Sequence, residues 1–115
     1  MSNTRFIIIL TEIVNGSVNT TIYCFKTKRD ADIFSECKYT ECKEKLKYNK
    51  LYQYQIEDRK IVSSDYMAYA TCFDYNLNMY ITSTKNFDNS SDALNWTLVY
   101  ENLYIIDCSG VINFK

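Results

Sequence analysis

The pattern of apolar and polar positions at the start of the chain indicates a β-hairpin. Two runs rich in β-favouring residues, 5–14 and 17–26, flank the dipeptide Asn15-Gly16. Asn-Gly between two such runs is the strongest short-range hairpin signal, because a type I′ turn needs a positive φ at both central residues. A two-residue loop also fixes the register, so we expect Phe6 to lie opposite Phe25.

Both faces of this hairpin are apolar. In the expected register, one face carries the isoleucines at positions 7, 9 and 13, and the other carries aromatic and aliphatic cross-strand pairs. A sheet in a small α+β domain usually leaves one face to water, so a second apolar face needs a second covering surface. We therefore predict a contact patch on the second face, formed by Phe6, Ile8, Tyr23 and Phe25.

A helix is predicted over residues 28–48. Thr27 is placed to cap its N-terminus, and Asn49 can end it in the left-handed conformation. We expect the helix to pack on the isoleucine face of the hairpin. Its apolar stripe at helical spacing comprises Ala31, Phe34, Cys42 and Leu46.

The second half of the chain is strand-like. Residues 91–106 fit either one helix or a short helix followed by apolar strand segments. No internal repeat is evident, so we expect a single α+β domain over residues 1–115, with an antiparallel sheet and one main helix on one face. Strands are predicted at 51–57, 60–63, 66–73, 79–84 and 111–114, with turns at Asp58-Arg59, 74–78 and Ser109-Gly110.

Composition narrows the possible chemistry. The chain has no histidine and only two glycines, so it lacks the usual acid–base side chain and the phosphate-cradling loops of many enzymes. Cys37 and Cys42 lie too far apart around a helix to form a disulfide or half a metal site. We expect the five cysteines to be reduced and mostly buried. The prediction is a non-enzymatic protein without cofactor or metal.

The charge distribution suggests one alternative. Residues 1–60 carry eleven Lys/Arg and eight Asp/Glu, giving +3, whereas residues 61–115 carry two and six, giving −4. Cations interleaved with aromatic rings can bind single-stranded nucleic acid by phosphate contact and base stacking. The candidate residues lie in the segment 38–60 and are Lys38, Tyr39, Lys43, Lys45, Lys47, Tyr48, Lys50 and Tyr52.

The composition also resembles a class of viral proteins. Stretches such as KEKLKYNKLYQYQIEDRK and DNSSDALNWTLVYENLYIID are rich in asparagine, lysine, isoleucine and tyrosine. In this respect the chain resembles small orphan proteins of AT-rich large DNA viruses. The resemblance implies a virion or virus-factory protein that works by assembly or by binding a viral or host protein, and it implies no active site.

Together these observations predict a self-associating interaction or structural protein, expected to be a homodimer. The N-terminal segment lacks a signal-peptide pattern, so we expect an intracellular, non-secreted protein in the host cytoplasm or the virion, without membrane association. Two alternatives stay open. One is single-stranded nucleic-acid binding by the segment 38–60. The other is a small-ligand-binding or enzymatic module in which tyrosines and carboxylates line a pocket.

Overall fold

The fold consists of two compact units, residues 1–62 and 63–115. A computed structural model describes residues 4–62 and 65–114. It has the expected α+β class, and its strands divide between two antiparallel three-stranded sheets. In order, the elements are β1 (Thr4–Val14), β2 (Ser17–Phe25), α1 (Lys28–Tyr48), β3 (Gln53–Val62), β4 (Tyr66–Asp74), β5 (Met79–Phe87), α2 (Ser90–Leu103) and β6 (Cys108–Asn113).

The N-terminal hairpin is confirmed. Phe6 pairs with Phe25, as the two-residue loop requires. Asn15 and Gly16 both have positive φ angles, 51° and 83°, as the type I′ turn demands. The third strand, β3, pairs with the other edge of β1 and gives the sheet order β2-β1-β3.

The helix α1 has the expected bounds but lies on the opposite face of the sheet. Its Phe34 ring packs 4.4 Å from the ring of Tyr23 and 5.0 Å from that of Phe25, and its Cys42 is in the core with Leu10. The expectation that it covers the isoleucine face was wrong. Apolar side chains on both faces of β1 gave no preference, and the hand of the β2–α1–β3 crossover decides the face.

Three local predictions were also wrong. The pair Asp58-Arg59 continues within β3 instead of forming a turn, and Ser109-Gly110 continues within β6. Cross-strand hydrogen bonding to the central strand overrides the local turn preference at both places. Asn49 ends α1 in an extended conformation (φ −140°), where its backbone N–H bonds to the Lys45 carbonyl.

The C-terminal unit repeats the topology of the N-terminal unit. Its sheet has the order β5-β4-β6, and α2 connects β5 to β6 as α1 connects β2 to β3. Residues 91–106 are therefore mainly helix, and strand segments within this range are excluded. The topological repeat was not foreseen, because few residues are identical between the two units.

The two units match residue by residue around their helices. The N-caps, Thr27 and Asn89, lie 62 positions apart, and each accepts a hydrogen bond from an aspartate N–H three residues later. At the same spacing, the buried Ala31 corresponds to the buried Ala93. Buried threonines also face each other at corresponding strand positions, as Thr11–Thr20 and Thr71–Thr82.

Candidate functional site

The outward surface of α2 is apolar. Its aliphatic side chains are between 54% and 69% exposed, although large apolar side chains normally lie inside a fold. The helix contains no lysine or arginine, and its only charged residues are Asp92 and Glu101. We call this surface the α2 outer face, formed by Leu94, Leu98, Val99 and Leu103.

The corresponding surface of α1 is charged. At the positions of the three leucines of the α2 outer face, α1 carries Asp32, Glu36 and Glu41. Two of these carboxylates form ion pairs, with Lys28 at 2.8 Å and with Lys38 at 3.1 Å. The same helix position in the same topology is therefore polar in one unit and apolar in the other. Because the fold is common to both, the apolar surface is a property that α2 does not need for folding.

The opposite side of α2 holds it against its own sheet. Ala93 and Thr97 are buried there, and the hydroxyls of Tyr100 and Ser83 lie 3.0 Å apart. Near the C-terminal end, the Ser109 hydroxyl donates to the Glu101 carboxylate at 2.8 Å. These contacts fix the rotation of the helix, and they turn the α2 outer face to solvent.

Two asparagines interrupt the apolar surface. Asn95 and Asn102 are exposed. Around the helix they lie between two pairs of apolar residues, Leu94 and Leu98 on one side and Val99 and Leu103 on the other. An amide can donate and accept at once, so paired asparagines within an apolar contact can fix the register of two helices. The arrangement suits packing against a helix.

The predicted contact patch on the hairpin is covered within its own unit. Ile8 is only 1% exposed, and Phe34 of α1 lies on both Tyr23 and Phe25. Phe6, on the same side of β1, is half-buried. The patch therefore belongs to the helix–sheet core of this unit, because α1 takes the face that was expected to need a second surface.

The lysines of segment 38–60 are largely paired with carboxylates. Lys38 bonds to Glu41, Lys45 to Glu12 and Lys47 to Glu44. Lys43 and Lys50 are exposed. Carboxylates next to most of the cations weaken any continuous positive surface along the segment.

The tyrosines of that segment do not form an open stacking platform either. Tyr52 is buried, Tyr39 packs edge-on against Tyr54 with centroids 6.2 Å apart, and Tyr48 is largely exposed. Base stacking requires open ring faces, and Tyr48 alone meets this requirement fully among the three candidates. The geometry gives nucleic-acid binding no specific support.

Glu12 joins the hairpin to α1 and to Tyr52, the residue before β3. Its Oε2 accepts hydrogen bonds from the Tyr52 hydroxyl at 2.6 Å and from Lys45 Nζ at 3.0 Å. Burial would raise the pKa of Glu12, but these hydrogen bonds and the charge of Lys45 outweigh it and hold the pKa below its ordinary value. Burial, together with Cys42 and Glu12, raises the pKa of the Tyr52 hydroxyl, which stays protonated as a donor. The cluster is structural.

The cysteines are less buried than expected. Cys42 is buried, Cys24 and Cys37 are exposed, and Cys72 and Cys108 are half-buried; all five are free thiols. Within residues 4–62 and 65–114, no three cysteine, aspartate or glutamate side chains converge as metal ligands. Neither α1 nor α2 combines the length and the apolar character needed to span a bilayer.

The chain was compared with protein-family models, with curated proteins and with solved structures, and none of them matches it. The α2 outer face therefore rests on its own geometry. The sequence did contain a signal for it: the stretch from Ala93 to Tyr100 has no charged residue. The signal was ambiguous because a buried strand and an apolar helix share this pattern.

Proposed function

We propose that the protein is a non-enzymatic interaction protein that forms a homodimer through the α2 outer face. The observation that carries the proposal is the contrast between the two helices: carboxylates in α1 are replaced by exposed leucines in α2. Exposed aliphatic clusters of this kind mark association surfaces. In this proposal the α2 outer face replaces the hairpin patch as the contact surface.

The sequence of α2 is complementary to itself in an antiparallel pair. With the two-fold axis between Leu98 and Val99, Leu94 of one copy meets Leu103 of the other, and Asn95 meets Asn102. The two acidic residues of the helix do not meet each other in this register. Asp92 falls opposite position 105 and Glu101 opposite position 96, so both copies avoid a like-charge contact.

The expected affinity follows from the exposed area. Burying the exposed half of an aliphatic side chain contributes roughly 1–1.5 kcal/mol, or about 8–12 kcal/mol for the four residues of both copies. Two rigid helix faces order few groups on contact, so the cost of association is taken at the low end of its range, about 4 kcal/mol. The surplus of about 4–8 kcal/mol corresponds to a Kd between about 1 mM and 1 μM.

Sedimentation equilibrium over roughly 10 μM to 1 mM tests the proposal. We expect a monomer–dimer equilibrium for the natural chain and a monomer for Leu98→Glu, which places two carboxylates beside the two-fold axis. The substitution gives α2 the residue type that α1 has at the same position, Glu36, so the fold should tolerate it. Ile33→Glu is the matched control, because Ile33 is similarly exposed on α1.

A pair of oppositely charged variants distinguishes specific dimerisation through α2 from a general loss of hydrophobic association. Leu98→Glu and Leu98→Lys should each be monomeric, and a mixture of the two should form a heterodimer. A natural chain that stays monomeric at millimolar concentration contradicts the proposal. So does a Leu98→Glu variant that dimerises as well as the natural chain.

We further propose that this association takes place inside a host cell, in the cytoplasm or in a virion of a large DNA virus. The composition resembling such viral proteins supports this, and so do five cysteines that all remain free thiols, as is usual in reducing compartments. A viral or host protein carrying a similar apolar helix is the alternative occupant of the α2 outer face. Imaging of the tagged chain in infected cells, with Leu98→Glu beside it, tests both location and dependence on the surface.

A further inference from the structure

A cavity of about 600 Å³ opens beside the C-terminal end of α2. All of its lining residues belong to the C-terminal unit, and most of its wall is aromatic or aliphatic. Cavities of this size accept small ligands. The wall residues that matter here are Phe73, Tyr75, Tyr80, Tyr104 and Asp107.

Three aromatic rings in this wall form a cage. The Tyr75 ring lies 5.0 Å from Phe73 at an interplanar angle of 75°, and the Tyr80 ring lies 5.1 Å from it at 73°. Two rings thus stand nearly perpendicular to a third. A cation within about 6 Å of several ring centroids is attracted by the negative faces of the rings.

One carboxylate accompanies the cage. Asp107 lines the same cavity as Tyr75 and Tyr80, and burial, the Asp107 carboxylate and Tyr75 together raise the pKa of Tyr80. Lys85 is the only lysine or arginine between residues 65 and 114, and its Nζ lies over the ring of Phe87 instead. The cavity therefore carries negative charge and no cation of its own.

Within residues 4–62, the end of the first hairpin carries no corresponding cluster of aromatic rings. The cross-strand pair Phe73–Tyr80 corresponds to Ile13–Val18 in the first hairpin, and the tighter Asn15-Gly16 turn has no residue in the place of Tyr75. The aromatic residues are therefore not required by the ββαβ topology. At this surface, as at the α2 outer face, the two units have different residue types although their topology is the same.

We propose that this cavity binds a trimethylammonium group. An aromatic and aliphatic wall with a single carboxylate favours a weakly hydrated cation over a primary ammonium, because little in the wall replaces lost water. Trimethylammonium groups occur both in choline compounds and in methylated lysine side chains. The chemistry of the cage is the same for both.

Aromatic-region NMR titration with choline, with 3,3-dimethylbutan-1-ol as its neutral isostere, tests the proposal. We expect choline to shift the ring signals of Phe73, Tyr75 and Tyr80 and to bind at least about tenfold more tightly than the neutral compound. Equal binding of the two compounds, or no shift of these rings, overturns the proposal. The affinity for a trimethyllysine peptide, measured beside its unmethylated form, identifies the source of the group. Tighter binding of the methylated peptide than of choline indicates a methylated protein as the ligand. Tighter binding of choline indicates a small molecule.

Two variants test the cage itself. Tyr75→Leu and Asp107→Asn should each weaken choline binding at least about fivefold. Tyr75 is 87% exposed, so its replacement should not disturb folding, and Tyr48→Leu, at an 84% exposed tyrosine in the other unit, is the matched control. Unchanged affinity in Tyr75→Leu refutes the cage. Leu103 of the α2 outer face lines the cavity but Leu98 does not, so choline is also titrated into the Leu98→Glu variant, in which the cavity wall is unchanged. Binding equal to that of the natural chain there shows that the cavity does not depend on the dimer contact.

Discussion

The two buried threonine pairs allow a matched test of one buried hydrogen bond in the same fold. In the C-terminal unit, Thr71 and Thr82 are at most 1% exposed, and their hydroxyls lie 2.8 Å apart. At the corresponding positions of the N-terminal unit, the hydroxyls of Thr11 and Thr20 lie 3.5 Å apart, the limit of a hydrogen bond. The first pair should therefore be coupled more strongly than the second.

The magnitude follows from the cost of a buried hydroxyl without this partner. Thr82→Val removes the hydroxyl that faces Thr71, and such a loss costs roughly 1–3 kcal/mol, offset by up to about 0.8 kcal/mol from the added methyl group. Replacing both threonines by valine keeps the shape and removes both polar groups, so the double variant should be nearly as stable as the natural chain. The expected coupling is about 1–2 kcal/mol.

Urea unfolding of the four chains of each cycle measures the coupling. Trp96 is the only tryptophan and lies in α2, so its fluorescence follows the C-terminal unit, and circular dichroism follows both units. We expect the cycle of Thr11 and Thr20 to give less than about 0.5 kcal/mol. Additive valine substitutions at Thr71 and Thr82, or equal coupling in the two units, would refute the reasoning.

Two further predictions concern the sheet and the helix contact. Gly110→Ala should destabilise the C-terminal unit by roughly 1–3 kcal/mol in urea unfolding, because the new Cβ would lie 2.8–3.0 Å from the hydroxyl and ring atoms of Tyr69. The loss of stability should be smaller in a Tyr69→Ala background. An equal loss in that background would exclude this clash as the cause. Glu12→Gln should reduce the acid sensitivity of folding. The lowered pKa of Glu12 contributes stability above its ordinary value of 4.5, which is lost as the pH falls through the folded pKa. Parallel stability–pH curves from pH 2 to 7 would contradict this.

Both proposed sites lie in the C-terminal unit, although the two units share the ββαβ topology. The N-terminal unit covers its helix with ion pairs and has aliphatic residues at the end of its hairpin. The C-terminal unit has exposed leucines on the helix and a cage of aromatic rings at the end of the hairpin. The N-terminal unit thus serves as the internal control for the C-terminal one: the threonine cycles compare corresponding positions, and Ile33→Glu and Tyr48→Leu are controls matched by exposure.

Local residue patterns were sufficient to predict the first hairpin and the first helix. Asn15-Gly16 fixed the first hairpin and its register, because only a few residue types accept two positive φ angles in succession. Thr27 and the apolar spacing fixed the bounds of α1, because capping and helical periodicity are local properties. The turn predicted at 74–78 before β5 is present over residues 75–78, and Asp74 belongs to β4.

Which surfaces are covered could not be predicted from local residue patterns. Both faces of β1 are apolar, so alternation could not show that α1 packs on the sheet face that carries Leu10, Tyr23 and Phe25. The uncharged stretch around Trp96 fits a strand or a helix, and hydrogen bonding of β6 to β4 settles which residues remain for α2. Burial and handedness depend on residues far apart in the chain, and no local pattern encodes them.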